Sequence, residues 1–161
     1  MLASCSFNKD ESIELSFMPD IYPYTDTVYA SHYNNLPFYE FGQQKSSKLI
    51  FYVSGDCSSC FSRIVKWQKY LKTNELFFSD VAKAIVIETE QLPKLEYNLE
   101  KIENTIPIYI DTLNSFRTFN NLCVINSSSI FISQDNKILA YNVEEMSFKK
   151  IKSLSKDSFN Y

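Results

Sequence analysis

The sequence predicts an α/β protein in which helices cover both faces of a central mixed sheet. Three observations support this fold class. Apolar strand-like runs alternate with amphipathic helical segments from Lys48 onward. The run Ala84 to Glu88 (AIVIE) is apolar over four consecutive residues, which is typical of a central parallel strand. Two further strand-like segments joined by a short polar turn then precede a last helix, as in a closing hairpin.

Composition limits the classes of protein that this chain can be. Its 161 residues, of which 45% are hydrophobic and 16% aromatic, suit one domain with a sizeable core. The formal net charge is −3 and no basic run is present, which argues against nucleic acid as a partner. No apolar stretch approaches the length that crosses a membrane.

The first residues resemble the end of a bacterial lipoprotein signal. Leu2-Ala3-Ser4-Cys5 has the Leu-small-small-Cys order that precedes lipidation of the cysteine, and a polar stretch follows it. We therefore expect residues 1–12 to be a tether, Cys5 to be a lipid anchor and the protein to face the cell envelope outside the cytoplasm. Such an oxidising compartment would also allow disulfide bonds to persist. The alternative is a disordered tail with a spare cysteine.

Residues 13–45 are predicted to be an N-terminal extension of a single domain whose core spans residues 46–161. Ile13 to Phe17 alternates apolar and polar residues, as a half-buried strand does. Thr27 to Tyr29 and Phe38 to Phe41 are further short candidates. The extension therefore adds short strands beside the core. Its aromatic residues between Tyr22 and Phe41 either fill the core, which is the preferred interpretation, or form a partner surface.

The central stretch, KLIFYVSGDCSSCFSRIVKWQKYL, combines a strand, a tight turn and a helix. Lys48 to Val53 is rich in aromatic and β-branched residues, and Ser54, Gly55 and Asp56 end it. From Phe61 to Leu71 the apolar residues recur near helical spacing. This order places the cysteine pair of Cys57 and Cys60 at the N-terminus of the helix.

That position favours redox chemistry. A thiol at a helix N-terminus faces unpaired backbone N–H groups and the positive end of the helix dipole, and both favour the thiolate. The thiolate is the form that attacks disulfides, and the two-residue spacing lets Cys60 reach Cys57 after the first attack. Two alternatives remain at this point, a structural disulfide that never exchanges and a metal site.

The elements after this helix alternate and then close. Leu92 to Glu103 is predicted to be helical, with Pro93 in its first turn, and Ile106 to Ile110 to be a short strand. Asn114 to Asn121 is predicted to be a helical turn. Ser129 to Ser133 and Lys137 to Val143 are predicted to form a hairpin around the turn Gln134-Asp135-Asn136. Glu144-Glu145 then opens a last helix whose buried face carries Met146, Phe148, Ile151 and Leu154.

Three stretches resemble the thioredoxin superfamily, particularly the extracytoplasmic thioredoxin-like lipoproteins of Bacteroidetes. They are KLIFYVSGDCSSCFSRIVKWQKYL, IPIYIDTLNSFRTFNNL and SSSIFISQDNKILAYN, and together they cover roughly residues 45–155. The resemblance implies a thioredoxin-like three-layer fold, a central mixed sheet with helices on both faces, here with extra short N-terminal strands. It also implies a thiol-disulfide oxidoreductase of the cell envelope.

The resemblance also implies roles for individual residues. Cys57 would be the nucleophile and Cys60 the resolving thiol. Asp56, Ser58 and Ser59 in the exposed turn would face the substrate, together with Ser127 and Ser128 opposite them. The partner would be a protein disulfide substrate or redox partner in the envelope. No organic cofactor and no metal is implied, and the membrane is reached only through the lipid anchor. The Ser58-Ser59 dipeptide fixes neither the substrate nor the direction of transfer.

The chain departs from the family at three positions. Ser128 stands where the family has a cis-proline, and because a cis bond without proline costs about 3 kcal/mol, a trans turn is expected there. Asp56 replaces the usual aromatic residue, and a negative neighbour raises the pKa of a thiol. Phe51 replaces the buried acid of thioredoxin. The missing cis-proline and Asp56 favour the alternative function, a non-catalytic thioredoxin-like binding lipoprotein whose cysteine pair is a structural disulfide.

The other candidate residues have structural interpretations. Cys123, between Leu122 and Val124, is expected to be a small buried hydrophobe. His32 is the only histidine and lies in a loop-like region, so a surface or packed residue is expected rather than a ligand or base. Trp67 on the redox helix is expected to pack in the core.

Overall fold

The computed structural model describes residues 22–23, 38, 41–43, 45, 47–56, 58–101, 106–120, 122 and 127–157. The sequence forms six strands and four helices within them. The strands are β1 (Tyr22–Pro23), β2 (Ser47–Ser54), β3 (Val81–Glu88), β4 (Ile108–Asp111), β5 (Ser127–Ser133) and β6 (Ile138–Tyr141). The helices are α1 (Ser58–Thr73), α2 (Leu92–Leu99), α3 (Ser115–Phe119) and α4 (Phe148–Asp157), and a short 3-10 helix (Val143–Glu145) precedes α4. The predicted alternation of strands and helices is confirmed.

The strands form one mixed sheet in the order β1-β4-β3-β2-β5-β6. Strand β3 is parallel to both β2 and β4, as its continuous apolar run predicts. Strand β5 returns antiparallel to β2, and β6 pairs antiparallel with β5 as the predicted hairpin. Asn136 in the hairpin turn has φ 65°, a left-handed conformation that asparagine tolerates.

Helices pack on both faces of this sheet, so the three-layer prediction is confirmed. Helices α1, α2 and α4 bury apolar side chains on one face, where Phe51 and Phe131 of the sheet meet Trp67, Leu95 and Ile151. Helix α3 covers the other face, where Phe116 packs with strand residues that include Ile50 and Tyr52. Alternate residues of β2 therefore point into two separate cores, as the pleat of a strand requires.

The last helix begins later than the sequence predicts. Glu144 and Glu145 belong to the 3-10 helix, and α4 starts at Phe148. The extended backbone of Met146 separates the two, and the Ser147 hydroxyl accepts a hydrogen bond from the Lys150 N–H at 3.4 Å. The same N–H also donates to the Ser147 carbonyl at 3.0 Å, so Ser147 closes the first turn through both of its oxygens and marks the start of α4. Ile151 is buried as expected, whereas Phe148 remains 40% exposed.

Several other predicted boundaries also need correction. Strand β4 begins at Ile108 rather than Ile106, and β6 ends at Tyr141 rather than Val143. Helix α2 ends at Leu99 rather than Glu103, because the Lys101 N–H bonds to the Asn98 carbonyl in a turn. Strand β3 begins at Val81 rather than at Ala84, because its pairing with β2 includes Val81, Ala82 and Lys83. Strand β5 begins at Ser127, where the sequence predicts a turn, because its first residues continue the ladder with β2.

The N-terminal third contributes an edge strand and part of a core. Tyr22 and Pro23 pair antiparallel with β4 at the sheet edge, the position at which a strand tolerates proline. Phe38 and Phe41 are buried against Tyr109 and Phe116. These two aromatic residues therefore fill the core, as the preferred interpretation expects, and do not form a partner surface. The candidate strand at Phe38 to Phe41 is a turn instead, because the Phe41 N–H donates to the Phe38 carbonyl at 3.0 Å. The candidate strands at 13–17 and 27–29 lie outside the described residues. Among the helices that the structure describes, none is both long and apolar enough to cross a bilayer.

Candidate functional site

The carboxyl ends of the three parallel strands meet at one edge of the sheet. Ser54 is in register with Glu88, and Glu88 is in register with Asp111. The antiparallel strand β5 starts at the same edge, because Ser127 lies opposite Val53. The turn that leads into α1 therefore lies beside the start of β5, and the edge gathers the predicted site residues from two distant parts of the chain.

Gly55 anchors this turn to the end of β3. Its N–H donates to the Glu88 carbonyl at 2.7 Å. A Cβ atom at this position would lie 2.9 Å from Cγ2 of Ile87 and 3.0 Å from Cβ of Thr89, both buried residues. Real side chains do not approach so closely, so the turn can pack this tightly only with glycine at position 55.

Cys60 is the third residue of α1 and is 2% exposed. It packs in the same core as Phe51 and Ile64. The first turn of the 16-residue helix therefore carries a buried sulfur, as the strand-turn-helix pattern predicts. Cys57, the residue directly before the helix in sequence, lies outside the described residues, as do Cys5, Cys123 and His32.

Asp56 is exposed and is held by the end of β3. Its carboxylate accepts a hydrogen bond from the Thr89 hydroxyl at 3.1 Å. The same hydroxyl accepts a bond from the Gln91 N–H at 3.0 Å, and the Thr89 N–H donates to the Asp111 carbonyl. A negative charge is thus fixed on the residue that precedes Cys57, where it opposes the effect of the helix dipole on a thiol.

Two more carboxylates lie at this edge, and both have partners. The buried Asp111 carboxylate accepts bonds from the N–H groups of Ser115 and Phe116, each at 2.9 Å, and so caps the start of α3. Glu88 lies 3.1 Å from the Arg117 guanidinium. Burial raises the pKa of Glu88, and the Arg117 charge partly offsets that rise. These two groups serve the local fold, and each already has its own partner.

The serines predicted to face the substrate differ in exposure. Ser59 is exposed in the first turn of α1, and its carbonyl accepts a bond from the Ser62 hydroxyl at 2.7 Å. Ser128 is 6% exposed, and its hydroxyl donates to the Asn142 side chain at 3.2 Å. No peptide bond within the described residues is cis. Ser58 begins α1 and Ser127 begins β5, while their side chains lie outside what the structure describes.

The position of thioredoxin's buried acid is filled by an aromatic ring. Phe51 is 1% exposed and stacks on Trp67 at a centroid distance of 5.1 Å. Trp67 is 3% exposed, which confirms its predicted packing in the core. The core beneath α1 therefore has a phenyl ring at the position to which the resemblance assigns a carboxylate.

Sequence reasoning did not single out Thr89, Glu88, Asp111 or Arg117. A signal was available for the first three, since each is a polar residue at or just after the carboxyl end of a parallel strand. Arg117 gives no such signal. In the part of the chain that the structure describes, no group of three or more His, Cys, Asp or Glu side chains is arranged to hold a metal ion.

Comparison with known proteins finds similarity in structure alone. No protein-family model matches the sequence, and no curated protein matches it. StoA from Bacillus subtilis superposes with a TM-score of 0.58 at 12% identity, covering 87% of this chain and 99% of that one. A protein assigned as the thiol:disulfide interchange protein DsbE from Chlorobium tepidum gives 0.54 at 10% identity, covering 73% and 83%. The pneumococcal exposed lipoprotein thioredoxin Etrx1 from Streptococcus pneumoniae also gives 0.54, at 12% identity and covering 71% and 87%. At these identities the likeness concerns the fold.

Proposed function

We propose that this chain, which has the thioredoxin-like fold, is a thiol-disulfide oxidoreductase of the cell envelope that acts through Cys57 and Cys60. The observation that carries the proposal is the place of Cys60, buried in the first turn of a helix that directly follows a central strand. Because Cys57 precedes this helix in sequence, the pair falls where unpaired N–H groups and the helix dipole favour a thiolate. The similar structures include one assigned to thiol:disulfide interchange.

In the proposed reaction the Cys57 thiolate attacks one sulfur of a substrate disulfide. A mixed disulfide forms and the other substrate sulfur leaves as a thiolate. Cys60 then loses its proton and attacks the Cys57 sulfur, which forms the Cys57–Cys60 disulfide and releases the second substrate thiol. Two electrons pass to the substrate, and the reverse sequence oxidises a dithiol. Asp56 and Ser58 flank Cys57 in sequence, and together with the exposed Ser59 and with Ser127 they are proposed to face the substrate. The resemblance assigns the same role to Ser128, but its side chain is 6% exposed and bonds to Asn142.

The proposed setting is the extracytoplasmic side of the envelope. Cys5 would carry a lipid anchor, residues 1–12 would be the tether, and residues 13–161 would form one thioredoxin-like domain. Among the structures that resemble the fold, one is an exposed lipoprotein thioredoxin, which supports this setting. The partner is a protein that carries a disulfide or a dithiol. Lipid attachment is tested by mass spectrometry of the protein expressed with a bacterial lipoprotein leader, with Cys5→Ser as the control.

Trapping the mixed disulfide tests the reaction. In a Cys60→Ser variant the resolving thiol is missing, so Cys57 should accumulate a covalent adduct with a disulfide-bonded protein substrate that dithiothreitol releases. The matched control is Cys57→Ser, which keeps Cys60 and should trap nothing. If both variants behave alike, the account of attack and resolution is wrong.

A second function has specific observations in its favour. The fixed carboxylate of Asp56, the phenyl ring of Phe51 and the serine at position 128 each replace a feature that assists exchange in the family. They suit a binding lipoprotein in which the cysteine pair is a permanent disulfide. A pair that resists reduction by glutathione, together with no trapping, would favour this second function.

A further inference from the structure

A cleft of about 470 Å³ opens between α1 and the 3-10 helix that follows β6. Its volume lies within the range of sites that bind small molecules. Its lining consists of Phe51, Arg63, Lys66, Trp67, Tyr70 and Glu144. Four of these residues are on α1 at spacings of three and four, so they share one face of the helix.

Stacked aromatic rings form the apolar part of the lining. Phe51 and Trp67 stack at a centroid distance of 5.1 Å, and Trp67 and Tyr70 stack at 5.3 Å with an interplanar angle of 14°. Trp67 is almost fully buried between its two neighbours, whereas Tyr70 is half-buried. Phe148 stacks on Tyr70 at a centroid distance of 6.2 Å and an interplanar angle of 14°, so neighbouring rings cover the faces of Trp67 and Tyr70. A ligand with a flat apolar body therefore lies along the edges of these rings.

The lining contains two cationic side chains and one carboxylate, so its net charge is positive. Glu144 is the only carboxylate, and it is already paired with Arg63 at 3.5 Å and accepts a hydrogen bond from the Ser129 hydroxyl. Lys66 is exposed and makes no ion pair with any described residue. The charge of the cleft therefore favours an anion, and the Lys66 ammonium is the group that is available to bind it.

Two more polar groups of the lining residues are hydrogen-bond donors that have no acceptor among the described residues. The indole N–H of Trp67 and the hydroxyl of Tyr70 are buried without a hydrogen-bond partner in the described part of the chain. Burial, assisted by the Glu144 charge, raises the pKa of Tyr70, so its hydroxyl keeps its proton. Unpaired buried donors are uncommon in folded proteins, and because protein atoms enclose both of these, a ligand in the cleft reaches them only if the surrounding side chains move.

We propose that this cleft binds a small organic anion, a carboxylate or sulfonate carried on a flat apolar body. The anionic group lies at Lys66, and the apolar body lies along the edges of the Trp67 and Tyr70 rings. The site uses neither cysteine, so this inference goes beyond the proposed oxidoreductase function and does not depend on it.

The single tryptophan makes the site directly observable. Trp67 is the only tryptophan of the chain, so its fluorescence reports on the cleft without interference. Phenylpropionate is the probe, and phenylpropanol, which has a similar shape and no charge, is its control. We expect a saturable change in emission with phenylpropionate and binding of phenylpropanol weaker by about tenfold, because a charge-assisted bond is lost.

Two lysines on α1 provide matched variants. Lys66→Ala should weaken phenylpropionate binding by about five- to tenfold. Lys69→Ala removes a charge from the same helix at a residue outside the lining and should leave binding unchanged. Both side chains are exposed, so both variants should fold. The proposal is overturned if phenylpropionate gives no saturable signal up to about 10 mM, if phenylpropanol binds equally well, or if the two lysine variants bind alike.

Discussion

The Thr89 hydroxyl donates a hydrogen bond to the Asp56 carboxylate at 3.1 Å, joining the end of β3 to the residue before Cys57. The bond links residues 33 positions apart in sequence and fixes a negative charge at the entrance to α1. The helix N-terminus favours the thiolate and this carboxylate opposes it. In the proposed oxidoreductase, the reactivity of Cys57 depends on the balance of these two effects.

Removing the carboxylate should therefore activate Cys57. In a background with Cys5, Cys60 and Cys123 changed to serine, Asp56→Asn should lower the Cys57 pKa and raise its alkylation rate at neutral pH by about two- to fivefold. The measurement is the rate of iodoacetamide reaction as a function of pH. Glu75→Gln, an exposed acid after α1, is the control and should change nothing. An unchanged or slower rate in Asp56→Asn would show that this charge does not influence the thiol.

The tight turn at Gly55 should not tolerate a side chain. Gly55→Ala would place a Cβ atom 2.9 Å from Ile87, whose side chain is fully buried and cannot move aside cheaply. We expect the free energy of unfolding to fall by about 1–3 kcal/mol, as for other overpacked positions. Denaturant unfolding measures the change, with Ser59→Ala in the exposed first turn of α1 as the control. Wild-type stability in Gly55→Ala would mean that the turn packs less closely than described.

The hairpin turn between β5 and β6 depends on a buried lysine. The Lys48 ammonium donates to the carbonyls of Ser133 and Gln134 at 3.4 and 3.0 Å, and to the Asn136 side chain at 2.8 Å. Lys48→Met leaves these acceptors without their donor, so we expect a loss of about 1–3 kcal/mol in the free energy of unfolding. Lys69→Met, on the exposed face of α1, should change stability by less than about 0.5 kcal/mol. Equal stability of the two variants would contradict this assignment.

Alkaline pH should unfold the protein through its buried tyrosines. Burial raises the pKa of Tyr109 from 10.0 to about 12, and Tyr141 behaves in the same way. Because the folded-state pKa is the higher one, the neutral phenol stabilises the fold. That stabilisation is complete below pH 10 and is lost as the pH rises to about 12. Tyr109 alone should account for about 2–3 kcal/mol of the loss.

Unfolding free energies measured from pH 8 upward test this expectation. Tyr109→Phe should remove a substantial part of the alkaline loss, and Tyr141 and Tyr70, whose pKa values burial also raises, should supply the remainder. Tyr97→Phe is the control, because Tyr97 is 62% exposed and should contribute none of the loss. A pH profile of Tyr109→Phe that parallels the wild type would rule out this tyrosine as a source of the loss.

The elements that the sequence predicts well are those whose hydrophobic pattern is local. The run AIVIE alone indicates a central parallel strand, and the apolar residues after Phe61 indicate α1 and place Cys60 in its first turn. By contrast, β1 contains Pro23 and is visible only through its pairing with β4. The start of α4 was predicted too early, because paired acids resemble a first helical turn although the chain places them in a 3-10 helix.

The surroundings of the site could not be read from the sequence for a related reason. The bond between Thr89 and Asp56 and the pair of Glu88 with Arg117 join residues far apart in the chain, and no periodicity records such contacts. The cleft beside α1 also requires Glu144, which packing brings next to Arg63. Side-chain spacing predicts which face a residue occupies, whereas its partner depends on how the elements pack together.

The reduction potential of the Cys57–Cys60 pair tests the central proposal most directly. The protein is equilibrated in glutathione buffers of known ratio, and the oxidised fraction is read from a gel shift after thiol alkylation. An oxidoreductase should have a potential between about −270 and −120 mV, and the value within that range indicates the direction of transfer. A pair that stays oxidised below about −300 mV would contradict the proposal and identify a structural disulfide.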